Sequence, residues 1–465
     1  MLRYLTRRFS LSMLALLLIS MMVFGLSKCV SREPALELDE GVSGDLQQQE
    51  QAVRLRAGQL GLDKPLFYFT LTTAAYPDTM YRILPLVRRE QLKKLCAQTG
   101  NWPAVTGYET ALRTLFTAVT TLPDTLKETV EFRFAVADLM RNEQLEAVNE
   151  LFAEVKQHAA PLLPHYPFQP MIDTLQERIA VLSSARTQKM LVPAFHWHGA
   201  DNQYHRWLSH FVTGDLGYST SIKKPVWESL RFSLYSTMVI NGLSLILAYL
   251  IAVPLGVAMA RRRERAFDRV ARWALLVVYS MPVFWLGSLL ILLLATPGSF
   301  LQIVDGIYLE PYNNSGKSYG MWCLSNAEHF ILPVLTLCLH ILAILALQMR
   351  GGILENIGQD FVRTARAKGV GEGAIYRKHI FRNALFPIIT VFASLFPVVF
   401  TGSLVIEYLF QFPGLGLKMR EAFLAGDISV LMAIIMLAAF FTILGNLLAD
   451  LLYAWVDPRV RFARR

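Results

Sequence analysis

Charge is what this sequence has least of. Only 17% of its 465 residues are Asp, Glu, Lys or Arg, where a soluble domain carries roughly a quarter. The charges are also bunched, leaving long stretches with none, while 54% of the chain is hydrophobic. That excludes an ordinary soluble globule and points to a membrane protein. Paired cysteines are missing too. Cys29, Cys96, Cys323 and Cys338 are the four present, and with no C-x-x-C among them a thiolate metal or redox centre has no basis. Lys28 stands where a lipoprotein cleavage site before Cys29 needs a small residue. A working phosphate loop is absent as well. The nearest approach, Pro311 to Ser318, ends in Gly316-Lys317-Ser318 but has Pro311 where the first glycine belongs, so it reads as a polar turn. No chain of carboxylates runs through the apolar stretches, which argues against a proton-coupled carrier.

What is present is six uncharged runs, each long enough for the ~20 helical residues that cross a bilayer core. They are Phe9–Ser27, Phe232–Ala260, Trp273–Ala295, Phe330–Met349, Ala384–Ile406 and Ile428–Ala449. The first exceeds a signal peptide's apolar core and lacks a small-residue cleavage end, so a retained helix is expected. Pro254 is expected to kink the second run. Cations gather in alternate connections: Arg3, Arg7 and Arg8 before the first run, Arg261–Arg272 after the second, Arg350–Arg382 after the fourth, and Arg459–Arg465 at the end. The positive-inside rule then puts both termini in the cytoplasm and the long segment from about residue 30 to 230 outside. The net charge of +9 is thereby accounted for by topology, with no nucleic-acid partner implied.

Three ionisable residues within or beside the runs are candidates to face the bundle: His340, Glu407 and Asp450. Asp450 is expected to cap or pair near the inner surface. Cys96 and Cys323 both fall on the outer side of this topology, so a disulfide between them is chemically open. Six of the nine histidines lie between His158 and His210. His196 and His198 could approach a metal, but without paired Cys or a helical His-x3-His they read as solvated loop residues.

The connection between the fourth and fifth runs carries the most information. It reads DFVRTARAKG from Asp360 to Gly369, continues through Gly371, and enters the fifth run at RNALFP, Arg382 to Pro387. Good helix formers are followed by glycines that end a helix. A short helix with small residues and cations suits docking into a groove on a soluble partner; a solvated basic loop that only fixes topology fits equally well.

This segment resembles the loop signature of binding-protein-dependent ABC permeases of the dipeptide, oligopeptide and nickel type. Six more family-like pieces occur in order: MLRYLTRR at the start, LGLDKPL at Leu60–Leu66, GDLGYS at Gly214–Ser219, YSMPVFWLG at Tyr279–Gly287, EYLFQFPGLG at Glu407–Gly416, and NLLADLLYAWVDPRVR at Asn446–Arg461. The resemblance implies an all-α membrane protein with the six transmembrane helices of the ABC importer permease fold. It implies a permease subunit, not an enzyme, in a cytoplasmic (inner) membrane. A second permease, two ATPase subunits that bind ATP and magnesium, and an extracytoplasmic solute-binding protein are the partners it implies, with peptides or a similar small solute as cargo. This chain itself is expected to hold no cofactor. A membrane-anchored receptor or a secondary carrier with a large outer domain is the alternative. The resemblance assigns ATPase coupling to Arg363, Thr364, Ala365, Ala367, Gly369, Gly371 and Asn383. One departure stands out: Arg363 occupies the place of the glutamate in the broader ABC pattern.

In ordinary members of that family LGLDKPL is followed closely by an aromatic segment like YHRWLSHFVTGDLG. Here 137 residues intervene between Leu66 and Tyr204. Amphipathic runs at Glu128–His158 and Asp173–Met190 flank a region marked by Pro161, Pro164, Pro167 and Pro170. The expected organisation is therefore a first transmembrane helix (1–30), an outer loop (31–66) and a mainly helical extracytoplasmic inserted domain (67–200). A pre-membrane segment (201–231), a five-helix core (232–456) with a coupling loop at 350–383, and a cytoplasmic tail (457–465) follow. Docking of the binding protein, substrate capture, bracing of the partner permease and plain stabilisation all remain open as roles for the insertion.

Overall fold

The structure, a computed structural model, describes residues 2–30, 46–122, 127–184, 187–297 and 319–456. The phosphate-loop-like turn at 311–318, part of the first outer loop and the tail with its arginines lie outside the described residues. The chain divides into two compact units, Met1–Ser31 with His210–Arg465, and Arg32–Ser209.

Among the described residues of the first unit, five helices are long and apolar enough to cross a membrane: Thr6–Cys29, Val226–Arg261, Ala327–Ile357, Glu372–Thr401 and Ile428–Leu452. A sixth crossing is built from two helices, Ala266–Ser280 and Val283–Leu294, bent by 107°. This corrects the expectation of one unbroken span over Trp273–Ala295. Pro282 brings no N–H, and its ring drives Met281 into an extended conformation (φ −82°, ψ 132°), so the helix cannot continue. Pro254, expected to kink the second span, lies inside one continuous helix. The fifth span also ends sooner than its apolar run: Gly402, at φ 76°, stops it after Thr401, and a separate short helix, Leu404–Leu409, follows.

Polar contacts show which helix ends lie together. Arg8, early in span one, pairs with Asp450, late in span six, at 3.4 Å. Asp268, at the start of span three, is bound by Arg350 in span four. Span three then runs away from that end, since Ala295 joins the buried cluster of Phe330, Ile406, Phe410 and Phe412. The bent pair therefore counts as one crossing, and six spans, with the start of the first beside the end of the sixth, account for the contacts.

The second unit is a helical domain with its own apolar core. Its helices include Leu86–Thr99, Trp102–Thr120, Lys127–Arg141, Val148–Ala159 and Gln169–Ser184. Trp102–Thr120 buries Val105, Tyr108, Leu112, Leu115 and Val119, the spacing of one helical face. Asn101 caps its first turn by accepting from the Ala104 N–H. Phe132, Val136, Val155, Leu175 and Leu182 fill the core opposite.

Two short strands close this unit at its base. Phe69–Thr73 pairs antiparallel with Pro193–Trp197, Phe69 opposite Trp197 and Thr73 opposite Pro193. The pairing continues outward as the His198 N–H donates to the Tyr68 carbonyl at 2.8 Å. The Gln203 and Tyr204 N–H groups donate to the Pro65 and Leu66 carbonyls at 2.9 and 3.1 Å, and Lys64 pairs with Asp201. Tyr204 is fully buried against Phe67, Tyr68 and Trp207. The segments Lys64–Thr73 and Pro193–Tyr204 are thus stitched to each other. Neither Cys96 nor Cys323 is in a disulfide, which corrects the pairing left open above; the Cys96 thiol is buried and donates to the Ala75 carbonyl.

Candidate coupling site and outer clasp

The loop after span four folds as the short helix Asp360–Ala367. Gln359 precedes it in extended conformation, and Asp360 places a carboxylate at the positive end of the helix. Two of its residues turn inward: Val362 and Ala365 are buried in the same apolar cluster as Ile353, Ile375 and Ile380. The other side is open. Arg363, Thr364, Arg366, Ala367 and Lys368 are exposed. Arg366 forks onto Glu372 at 2.6 and 3.2 Å, and Arg363 lies 3.5 Å from Asp360.

Gly369 ends the helix at φ 76°, a conformation costly for any side chain, with open space around it. Gly371 is exposed and caps the next turn, which winds through a π-helical stretch, Ile375–Ile380, into span five. Asn383 is half-buried in the first turns of that span. Of the residues singled out from the sequence, Arg363, Thr364, Ala367, Gly369 and Gly371 therefore share one accessible stretch. Ala365 does not: it is buried in the apolar cluster, three residues on from Val362.

At the opposite end of the bundle sit two carboxylates whose partners the sequence reading did not find. Glu407, in the connection between spans five and six, is 3% exposed. Its Oε1 accepts from the Thr237 hydroxyl at 3.0 Å and its Oε2 from the Leu417 N–H at 2.9 Å. Thr237 Oγ1 in turn accepts from the Leu415 N–H at 2.8 Å. Three glycines make room for the carboxylate: a Cβ on Gly402 would stand 2.1 Å from Oε1, on Gly414 2.2 Å from Cδ, and on Gly416 2.9 Å from Oε2. Burial pushes the Glu407 carboxyl up to about 7, against the hydrogen bonds from Leu417 and Thr237 that pull it down.

Asp427, just before span six, is also buried, and burial acts to raise it. Hydrogen bonds outweigh that and hold it below the usual carboxylate range. The Ser219 and Ser221 hydroxyls donate at 2.5 and 2.8 Å, and the Ser221 N–H at 3.2 Å. The pieces GDLGYS and EYLFQFPGLG thus meet their partners through one carboxylate each. The signal available in the sequence was a lone acid beside a Pro-Gly-x-Gly run.

The other expected sites resolve simply. His340 is half-buried in span four, and its Nδ1 has no hydrogen-bond partner. His198 bonds Thr70 at 2.8 Å. Among the described residues no group of three or more His, Cys, Asp or Glu gathers as a metal site.

A six-span helical bundle with a short exposed helix on the loop between spans four and five defines a transport permease. Comparison with known proteins makes this specific. Residues 252–462 match the family described as the binding-protein-dependent transport system inner membrane component. The oligopeptide transport system permease protein AppB of Bacillus subtilis (strain 168) is 35% identical over 261 residues, 56% of this chain and 80% of the relative. The dipeptide permease DppB of Escherichia coli (strain K12) is 33% identical over 276 residues, with the same two shares. The glutathione permease GsiC of Salmonella paratyphi A is 32% identical over 260 residues, 56% of this chain and 79% of the relative. The chain belongs to this family of ABC transporter permeases of the peptide type: it is a multi-pass inner-membrane transport subunit, not itself an enzyme.

Proposed function

We propose that this chain forms half of the solute path in an ATP-driven importer for peptides or similar small polar solutes. A second permease completes the path, two ATPase subunits bind ATP with its magnesium at the cytoplasmic face, and an extracytoplasmic binding protein delivers the solute. The similarity to oligopeptide, dipeptide and glutathione permeases supports the cargo class.

The observation that carries the reading is the two-sided helix Asp360–Ala367. Val362 and Ala365 fasten it to the bundle, while Arg363, Thr364 and Ala367 offer small and cationic groups to a partner. Charge supports the orientation: the cations of the loop helix, of Arg350 and of the Arg261–Arg272 segment favour the cytoplasm for that end, and Arg8 supports the same side for the amino terminus. The unit Arg32–Ser209 is then extracytoplasmic.

The test is purification of the tagged chain from native membranes in mild detergent, with mass spectrometry of what accompanies it. A second permease, ATPase subunits and a soluble binding protein are expected from the parent. Ala367→Trp, on the exposed face, should reach the membrane and lose the ATPases or the coupled uptake. Recovery of the parent chain free of any ATPase across several detergents would return it to the class of receptors.

A further inference from the structure

The turn between spans two and three does more than reverse the chain. Asp268, fully buried, accepts from the Glu264 N–H at 3.0 Å and so fixes the start of the helix Ala266–Ser280. Glu264 stands at φ 61°, a conformation that a non-glycine residue keeps only where its surroundings impose it. The same carboxylate receives the fork of Arg350, Nε on Oδ1 at 2.6 Å and Nη2 on Oδ2 at 2.8 Å. Two parallel bonds between planar groups set orientation as well as distance.

Arg350 lies in span four, ten residues ahead of Asp360, on the helix that leads into the loop helix. The other flank is held from the same turn. The Arg261 guanidinium lies 5.1 Å over the ring of Tyr376, in the π-helical stretch that follows the loop helix. Between them, Gly256 brings spans two and four into backbone contact: a Cβ there would stand 2.7 Å from the Met349 Cβ and 3.1 Å from the Arg350 nitrogen. The segment from Gly256 to Asp268 thus grips both flanks of the loop helix.

A buried ion pair adds little net stability, because the desolvation of both charges offsets their attraction. What a forked pair does supply is a fixed rotation of one helix against another. We propose that Asp268 and Arg350 are positioning residues for energy coupling. They lock span four to the turn after span two, so that a displacement of the loop helix moves spans two, three and four together instead of twisting span four alone. The inference rests on the reading of Asp360–Ala367 as the ATPase-docking helix.

The test uses the whole importer, co-purified and reconstituted, and reads how far its binding protein stimulates ATP hydrolysis, normalised to the amount of assembled complex, with thermal stability measured alongside. The decisive variant is Asp268→Asn with Arg350→Gln, which leaves no unpaired buried charge. Assembly and thermal stability are expected near the parent's, and stimulation is expected to fall on the order of tenfold. Arg350→Lys keeps the charge but not the fork, and should show a smaller loss in the same direction; it also serves if the double variant does not assemble. Parental stimulation in either variant overturns the proposal, as does a loss that merely tracks thermal stability. Ala367→Trp separates the two layers. If it uncouples while the double variant behaves as the parent, only the positioning role fails; if it couples normally, the docking reading fails and this inference with it.

Discussion

Raising the pH should loosen the outer hairpin that contains Glu407. The carboxyl ordinarily titrates near 4.5, and burial among Gly402, Gly414 and Gly416 moves it to about 7. A raised carboxyl pKa means the closed hairpin favours the protonated form. Its stabilisation is therefore complete below about pH 4.5 and is lost as pH rises through 7. The full shift corresponds to about 3 kcal/mol. Between about pH 5 and pH 8 the opening equilibrium should change on the order of a hundredfold. Glu407→Gln removes the titration and preserves the links, since the amide can donate to Thr237 Oγ1 while its carbonyl accepts from the Leu417 N–H. Hydrogen exchange of residues 402–417 reads the opening directly, and the ratio of parent to variant at each pH cancels the intrinsic pH dependence of exchange. The ratio is expected to climb from about pH 5 to pH 7 and to level off above. A flat ratio between pH 5 and 8 would refute the reasoning.

Gly256→Ala should lower the thermal stability of the bundle by about 1–3 kcal/mol, because its Cβ would meet the Met349 Cβ at 2.7 Å and the Ala346 carbonyl at 2.8 Å; an unchanged unfolding midpoint would mean spans two and four separate easily there. Asp427→Ala should strand the Ser219 and Ser221 donors and cost about 1–3 kcal/mol at neutral pH. Since that carboxyl is held low, the parent should approach the variant's stability as pH falls through its folded pKa, and parallel pH curves would count against the assignment. Replacing residues 69–197 by Asn-Gly should leave a chain that folds and reaches the membrane, because Tyr68 and His198 are already a hydrogen-bonded pair that a two-residue turn can close; rapid degradation of the shortened chain would show that the insertion supports the bundle.

The spans were legible because about 20 uncharged residues have few other places to go. Hydropathy carries no direction, however, so it could not show that Pro282 turns span three by 107° or that Gly402 ends span five inside an apolar run. The loop helix was legible by its motif, and its inward side by period: Val362 and Ala365 are three apart and face the same way. The motif alone names Ala365 with its neighbours; the period sets it apart as the buried one. Asp268 and Arg350 are 82 residues apart, and Ser219 and Asp427 are 208. No local spacing announces such pairs, and an acid in a basic turn reads as ordinary solvated charge. Asp450 was the easier case, because an acid near the inner end of a span has a short list of cationic neighbours, and Arg8 is one.

The unit Arg32–Ser209 shows how a long stretch of chain can close on itself. A loop of this length, left open, would hold its two ends loosely, and closing it carries an entropy cost that grows with length. Here that closure is made within the second unit itself, by the strand pair, the Lys64–Asp201 ion pair and the bonds from Gln203 and Tyr204 to Pro65 and Leu66. Leu66 and Tyr204 are thereby held at the short separation that a direct connection between them would require. The helices beyond the strand pair bury their own core and contribute their own stability.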